Sequence, residues 1–253
     1  MRLDSLFARP ARLNAGDLIE VDGRPVRLAV HARARRVSLR LDPARREVVA
    51  TAPSARRLAE AAAFAQTRRE WIAARLDALP QPLAFRPGAL IPFQGAPCRL
   101  ERAAMRIAPR LIPARDDEPA RLLAYGESAA FARAVERGLR AEALRHLTER
   151  TAVHARALGA VMPSVSIMDA RARWGSCRAG AGSAPGQIRY AWRLILAPAA
   201  VADYVAAHEC GHLLEANHGP RFWAVVRRLY GDPVPARAWL KDNGAQLHAA
   251  GRA

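Results

Sequence analysis

Residues 204–223 read YVAAHECGHLLEANHGPRFW, and this stretch gathers three of the chain's seven histidines together with two glutamates. On an α-helix His208 and His212 lie four residues apart, on one face and about 6 Å apart along the axis, so both imidazoles reach a single ion. Glu209 stands about 100° round from His208. Two histidine nitrogens on one metal, with a neighbouring carboxylate to take a proton from water, is the logic of the zinc hydrolases. A third protein ligand is then needed, leaving one coordination position open.

His218 is the candidate third ligand. In a continuous helix it would lie about 240° round from His212 and about 9 Å further along. Asn217 tolerates a left-handed turn and Gly219-Pro220 follow, so the sequence predicts a helix stop that swings His218 back towards the ion. Glu215 is the rival, because it shares the helix face of His208 and His212. It stands about 10 Å along the axis from His208, which favours a supporting or substrate-facing role. The spacing from His212 to His218 is also that of the metzincins. They carry Gly where this chain has Glu215, however, and no methionine follows Met168 to form their Met-turn, so that subclass is excluded.

The loop RWGSC at 173–177 has two readings. Arg173 and the backbone N–H groups of Gly175 and Ser176 can hold a developing oxyanion beside the metal. Equally, Trp174 can be a packing anchor with Gly175-Ser176 a plain turn, and both readings stay open. Cys177 and Cys210 read as core thiols, the latter facing away from the metal. Phe222 and Trp223 share a helical spacing with Val226 and Leu229 and read as core. His31, His146, His154 and His248 have no second ligand at a useful spacing.

The chain around this site has 253 residues, 51% of them hydrophobic, enough for one large domain or two small ones. No run of apolar residues is long enough for a membrane span, and the opening MRLDSLFARPARLN has charges where a signal peptide needs an apolar run; a cytoplasmic enzyme is expected. Cys98, Cys177 and Cys210 cannot all pair and form no CxxC, so they are expected as reduced thiols. A formal charge of +17 favours polyanionic partners such as nucleotides or nucleic acid. Lys241 is the only lysine among the 40 basic residues, and the arginines are spread from end to end among alanines, which fits a codon-composition bias better than a designed patch.

Alternating runs in LIEVDG, RPVRLAV, RRVSLRL and EVVATAP, with turns at Asp22-Gly23 and Asp42-Pro43, predict a small antiparallel sheet. Ser54 caps a helix to Leu79 with Leu58, Phe64, Ile72, Leu76 and Leu79 on one stripe, closed by Pro80. A proline-rich connector leads to strand-like runs in ALIPFQGAPCRLERA, MRIAPRLIP and ARLLAY, with ARDDEP as a loop. A helix is expected from Glu127 to Leu158, capped by Gly159, then a strand in SVSIMDA, a loop in RARWGSCRAGAGSAPG, a strand in QIRYAWRLIL, and the site helix opening at Pro198. No internal repeat is expected.

RWGSC at 173–177, WRLILAP at 192–198, DYVAAHECGHLLEANHGPRFW at 203–223 and WLKDNG at 239–244 together resemble the YgjP-like metallopeptidases, relatives of the SprT-like zinc proteases. RRVSLRL and WIAARLDAL extend the likeness weakly towards the N-terminus. The resemblance implies an α+β fold with a zincin-like core, a small sheet plus an active-site helix, preceded by an N-terminal αβ segment of mixed strands and one helix. The expected division is a tail at 1–16, an N-terminal αβ region at 17–125 and a zincin-like metallopeptidase domain at 126–253. His208, His212 and His218 are implied as ligands of one Zn²⁺ and Glu209 as the catalytic base of a metalloendopeptidase acting on peptides or proteins. Ala191 departs from the family, whose members commonly have Asn there, which bears on substrate details. Two other readings remain: a nucleoside triphosphate pyrophosphatase using the same ion, and a nucleic-acid-associated SprT-like protease. No membrane partner is expected, and the oligomeric state is left open.

Overall fold

The computed structural model describes residues 13–43, 45–79, 81, 83–170, 173–180 and 184–251. Most of the expected tail, and the helix-closing Pro80, lie outside these residues. The chain divides into two compact units, 1–80 and 81–253. Residues 81–125, grouped above with the N-terminal region, therefore cluster with the second unit, because their strands share its hydrophobic core with the long helix that follows. No helix among the described residues is long and apolar enough to cross a membrane.

In the first unit β1 (Leu18–Val21), β2 (Arg24–Val30), β3 (Ser38–Asp42) and β4 (Glu47–Ala52) form a sheet in the order β1-β2-β4-β3. It is mixed and not wholly antiparallel as expected: β2 and β4 run parallel, because the chain crosses to the sheet edge as β3 before returning beside β2. The helix over 58–77 breaks at Arg68 (φ −113°, ψ 20°) into α1 (Leu58–Thr67) and α2 (Arg69–Asp77). Leu58, Ala61, Ala65, Ile72 and Leu76 face the sheet, whereas Phe64 is only half-buried beneath the Arg68 guanidinium. Ser54 precedes a 3₁₀ turn and makes no side-chain cap bond.

The second unit opens with β5 (Leu90–Phe93), β6 (Ala96–Arg102), β7 (Arg110–Ile112) and β8 (Ala120–Ala124), in the order β5-β6-β8-β7. This repeats the first sheet. The β2–β4 register pairs Leu28 with Ala50; the β6–β8 register pairs Leu100 with Leu122, each position 72 residues further on. Both hairpins turn through two residues of positive φ, Asp22-Gly23 and Gln94-Gly95, the type I′ geometry whose twist matches paired strands. Gly16 N–H donates to the Leu28 carbonyl and Gly88 N–H to the Leu100 carbonyl, both at 2.8 Å. The expectation of no internal repeat is thus overturned. Its signal was present: LIEVDGRPVRL at 18–28 and LIPFQGAPCRL at 90–100 share Leu, Ile, Gly, Pro, Arg and Leu at matching positions.

The second copy continues differently. Its helix α3 (Ser128–Leu158) runs unbroken to Gly159, whose φ of 66° ends it in the left-handed conformation that glycine tolerates. A three-stranded sheet follows, from β9 (Ser164–Met168), β10 (Gly175–Arg178) and β11 (Gln187–Ala191), in the order β10-β11-β9. The expected loop in RARWGSCRAGAGSAPG therefore contains a strand, because Gly175 to Arg178 pair antiparallel with β11 despite their small side chains. The expected strand in QIRYAWRLIL ends at Ala191, and 192–196 form a buried 3₁₀ turn. Helices α4 (Ala199–Gly211), α5 (Pro220–Tyr230) and α6 (Val234–Ala249) complete the unit.

Polar contacts pin α3 to the elements beside it. Thr151 Oγ and the Tyr190 hydroxyl lie 2.9 Å apart in the core, and Arg150 and His154 both reach Asp203 on α4, at 2.7 and 2.6 Å. Fully buried Arg193 donates to the Ala250 carbonyl and to Asp169, tying the end of α6 to the 3₁₀ turn. A buried charge is tolerated only with such partners.

Candidate metal centre

Pro198 leaves α4 to begin at Ala199, where its missing N–H costs nothing, and the helix carries His208 and Glu209 in its last turn. The helix ends earlier, and by another device, than the sequence suggested. The His212, Leu213 and Leu214 N–H groups donate to the Glu209, Cys210 and Gly211 carbonyls, and these hydrogen bonds tighten the chain into a turn. Asn217 does not take positive φ; Gly219 is extended, and Pro220 starts α5. The outcome for His218 is the expected one. Its Nε2 lies 3.1 Å from that of His208 and 3.2 Å from that of His212.

Among the described residues these three histidines are the one group whose ligand atoms all approach closely enough to hold a metal ion. Donor chemistry fits. Burial, followed by the neighbouring His212, His218 and Arg237, pushes His208 down to about 4, and burial and the same kind of neighbours lower His218. Such rings are neutral near pH 7, the form that binds metals. His212 Nδ1 donates to the Glu215 carbonyl at 2.9 Å, which leaves its Nε2 lone pair free. The Tyr204 hydroxyl lies 3.4 Å from His208 Nδ1 and orients that ring in the same sense. Glu215 thus meets the site through its backbone; its carboxylate is not in the ligand group, because the helix whose face it was to share has already ended.

Beneath the imidazoles lies Phe222, fully buried, stacked on His212 at 4.5 Å and edge-on to His208 and His218. The glycine of HECGH makes room for it: a Cβ at Gly211 would stand 3.0 Å from the Phe222 ring. Cys210 points into the core towards the Thr151 carbonyl, and burial lifts it and Cys177 to about 12, so both are inert thiols near neutrality.

Glu209 is buried, and burial raises its carboxyl to about 7 against the opposing charge of Arg173. Its space comes from Gly175. A Cβ there would lie 2.6 Å from the Glu209 Cδ, so any side chain at 175 displaces the carboxylate. Both readings of RWGSC thus hold parts of the geometry. Trp174 is an anchor, stacked on His248 at 4.1 Å and in contact range of Gly244, while Gly175 and Ser176 form the edge strand β10. Arg173, Gly175, Tyr204, His208, Glu209 and Arg237 line a cavity of about 310 Å³.

Arg237, on the first turns of α6, was missed in the sequence. It sits 4.9 Å over the Trp223 ring, nineteen or more residues from every histidine of the motif, and no local pattern marks it. Ala191 is buried on the central strand β11, between the edge strands β10 and β9, so the departure from Asn falls in the core beside Met168.

A family model described as YgjP-like, metallopeptidase domain, matches residues 35–243. No curated protein and no solved structure matches the chain. The matched span takes in the triple-histidine turn, the RWGSC strand and α3 behind them, and with this much of its length covered the chain belongs to the YgjP-like metallopeptidase family.

Proposed function

We propose that the protein is a zinc-dependent peptidase in which His208, His212 and His218 hold one Zn²⁺ and Glu209 is the general base. The convergence of three imidazoles, with His218 Nε2 within 3.2 Å of the other two and all three ligand atoms within 4.8 Å of one another, beside a buried carboxylate, carries this reading. When bound, the ion supplies a Lewis acid that makes water more acidic and polarises the scissile carbonyl. Glu209 accepts the proton of the attacking water and returns it to the departing amine. Burial holds its carboxyl near neutrality, where both transfers are accessible. Tyr204 and the Glu215 carbonyl hold the rings of His208 and His212 in the ligating tautomer. An extended peptide suits the open edge of β10, whose other side is taken by β11. Three separate thiols suit a reducing compartment such as the cytoplasm.

A second reading, hydrolysis of nucleoside triphosphates at the same centre, draws on Arg173 and Arg237 in the cavity wall, since guanidinium groups grip phosphates well. Side-by-side assay of peptides and nucleotides separates the two.

Elemental analysis tests the centre first. Wild type is expected to carry about one zinc per chain and His218→Ala far less; a metal-free, unreconstitutable wild type would overturn the reading. Glu209→Gln should retain zinc and lose about a thousandfold in kcat, the scale of a general base. Gly175→Ala should also keep zinc but lose about tenfold or more in kcat through the displaced carboxylate. Full activity in either variant contradicts the assigned base.

A further inference from the structure

The wall of the catalytic cavity holds two guanidinium groups that form no ion pair among the described residues. Arg173 precedes β10, and Arg237 comes from α6. Arg237 rests on the Trp223 ring, and in this cavity the carboxylate beside Arg173 is that of Glu209. They stand next to the three imidazoles assigned above to a dication: Arg173 and Arg237 line the same cavity as His208, whose ligand atom lies with those of His212 and His218. Positive charge concentrated in this way is costly unless an anion arrives to offset it.

The basic lining continues past the cavity. Arg173 also borders a second cavity of about 720 Å³, lined further by Arg140, Asp169 and Arg189. There Arg140 is held by Glu136 at 2.8 Å and Asp169 pairs with Arg193, so their charges are answered within the fold. Arg189, on the exposed face of β11 across from Ser176 of the edge strand, has no such partner among the described residues. Arg237, Arg173 and Arg189, none of them in an ion pair among the described residues, thus form a basic track from the three histidines to the sheet that offers an extended chain its edge.

Resting on the peptidase reading above, we infer that the cleft selects acidic peptides: Arg237 and Arg173 bind the carboxylate of an Asp or Glu side chain flanking the scissile bond, and Arg189 binds a further acidic residue along β10. Arginine suits this because its planar fork binds a carboxylate through two parallel hydrogen bonds. A long phosphate chain would match the two guanidinium groups at the centre but has no use for the strand edge or for Arg189.

The test uses the full-length, zinc-loaded chain. One peptide selected by cleavage from a mixed synthetic library is remade with Glu, Gln or Lys at each position flanking the cleaved bond, and kcat/KM is measured at low and high salt. Glu is expected to exceed Gln by about tenfold at one or more positions, the scale of a charge-assisted contact, and Lys to fall below both. Salt should shrink the preference. Arg237→Glu should move the preference towards Lys, mainly through KM, and Arg173→Gln should lower it with zinc content intact, so the inference does not hang on one variant folding. Binding of the Glu and Gln peptides to Glu209→Gln, read from tryptophan fluorescence, should show the same ranking without turnover.

Equal kcat/KM for the Glu, Gln and Lys peptides overturns the inference and leaves the peptidase reading standing. No cleavage of any library peptide, with a nucleoside triphosphate hydrolysed instead, overturns the peptidase reading and the acidic-peptide inference together.

Discussion

The two halves of the repeat put the same strand plan to different uses. In the first copy Gly23 of the hairpin turn faces open space and Asp22 lies 3.7 Å from Arg69 of the unit's own helix, the helix breaks at Arg68, and the unit closes on its own small core of Val26, Leu28, Ala50 and Leu58. In the second copy the equivalent turn, Gln94-Gly95, abuts Pro198 at the start of the site helix, and Gln94 N–H donates to the Ile195 carbonyl at 2.8 Å. Its unbroken helix α3 carries Arg150, Thr151 and His154 to Asp203 and Tyr190. The sheet is a scaffold in both copies. What distinguishes the second is that its turn and the far end of its helix both hold α4, the helix that presents His208 and Glu209.

The sharpest way to break this comparison is to damage matched core positions. Leu28 and Leu100 are both fully buried at the same place in the repeat. Either Leu→Ala change should cost about 2–5 kcal/mol in its own unit. Only Leu100→Ala should release zinc at a lower temperature, read with a chromophoric chelator during thermal unfolding. Equal zinc release from Leu28→Ala would show that the two copies unfold as one body.

Next in size is Asp203→Asn, expected to cost about 1–2 kcal/mol by weakening the α3–α4 link, for which the described residues of the first copy hold no counterpart. Burial opposes ionisation of Asp203, but hydrogen bonds and charges from His154 and Arg150 outweigh it, and the folded carboxyl titrates below its ordinary 3.8. The stabilisation is therefore complete above that value and is lost as the pH falls through the lowered one. Wild type should lose stability more steeply than Asp203→Asn below about pH 4 in chemical denaturation; parallel acid limbs would remove the ion pair from the account.

The smallest effect compares the two turns. Gly23→Ala and Gly95→Ala each place an L-residue at positive φ (73° and 84°), costing about 1 kcal/mol. Gly95→Ala should cost more, because its Cβ would stand 3.0 Å from the Pro198 Cα, whereas Gly23 has nothing within 4 Å. Equal melting shifts would mean that the second turn does not brace α4.

Much of the site could be read from local spacing. His208, Glu209 and His212 belong to one helical segment, where periodicity alone dictates which side chains share a face. The convergence of His218 was expected for a partly different reason: the stop lies at His212 and needs no left-handed Asn217, because main-chain bonds one turn long are as effective as a glycine cap. The strand inside RWGSC was hidden because glycine and serine have little strand preference, and only pairing with β11 makes the segment extended. The repeat is visible in LIEVDGRPVRL and LIPFQGAPCRL, but its signal is a correspondence between positions 72 residues apart and leaves no mark on the local periodicity of either segment.

By itself, then, the sequence determined the helix that presents His208 and Glu209, the turn at Asp22-Gly23 and the glycine end of α3, all consequences of neighbours within a few residues, and, through motifs between 173 and 244, the family to be expected. Only the tertiary structure decided that Gly175 makes room for the Glu209 carboxylate, that Phe222 underlies all three imidazoles, and that Arg173 and Arg237 face the same cavity. Those partners are joined by packing across distant segments. Their geometry follows from how sheet and helices close on one core, which no local pattern encodes.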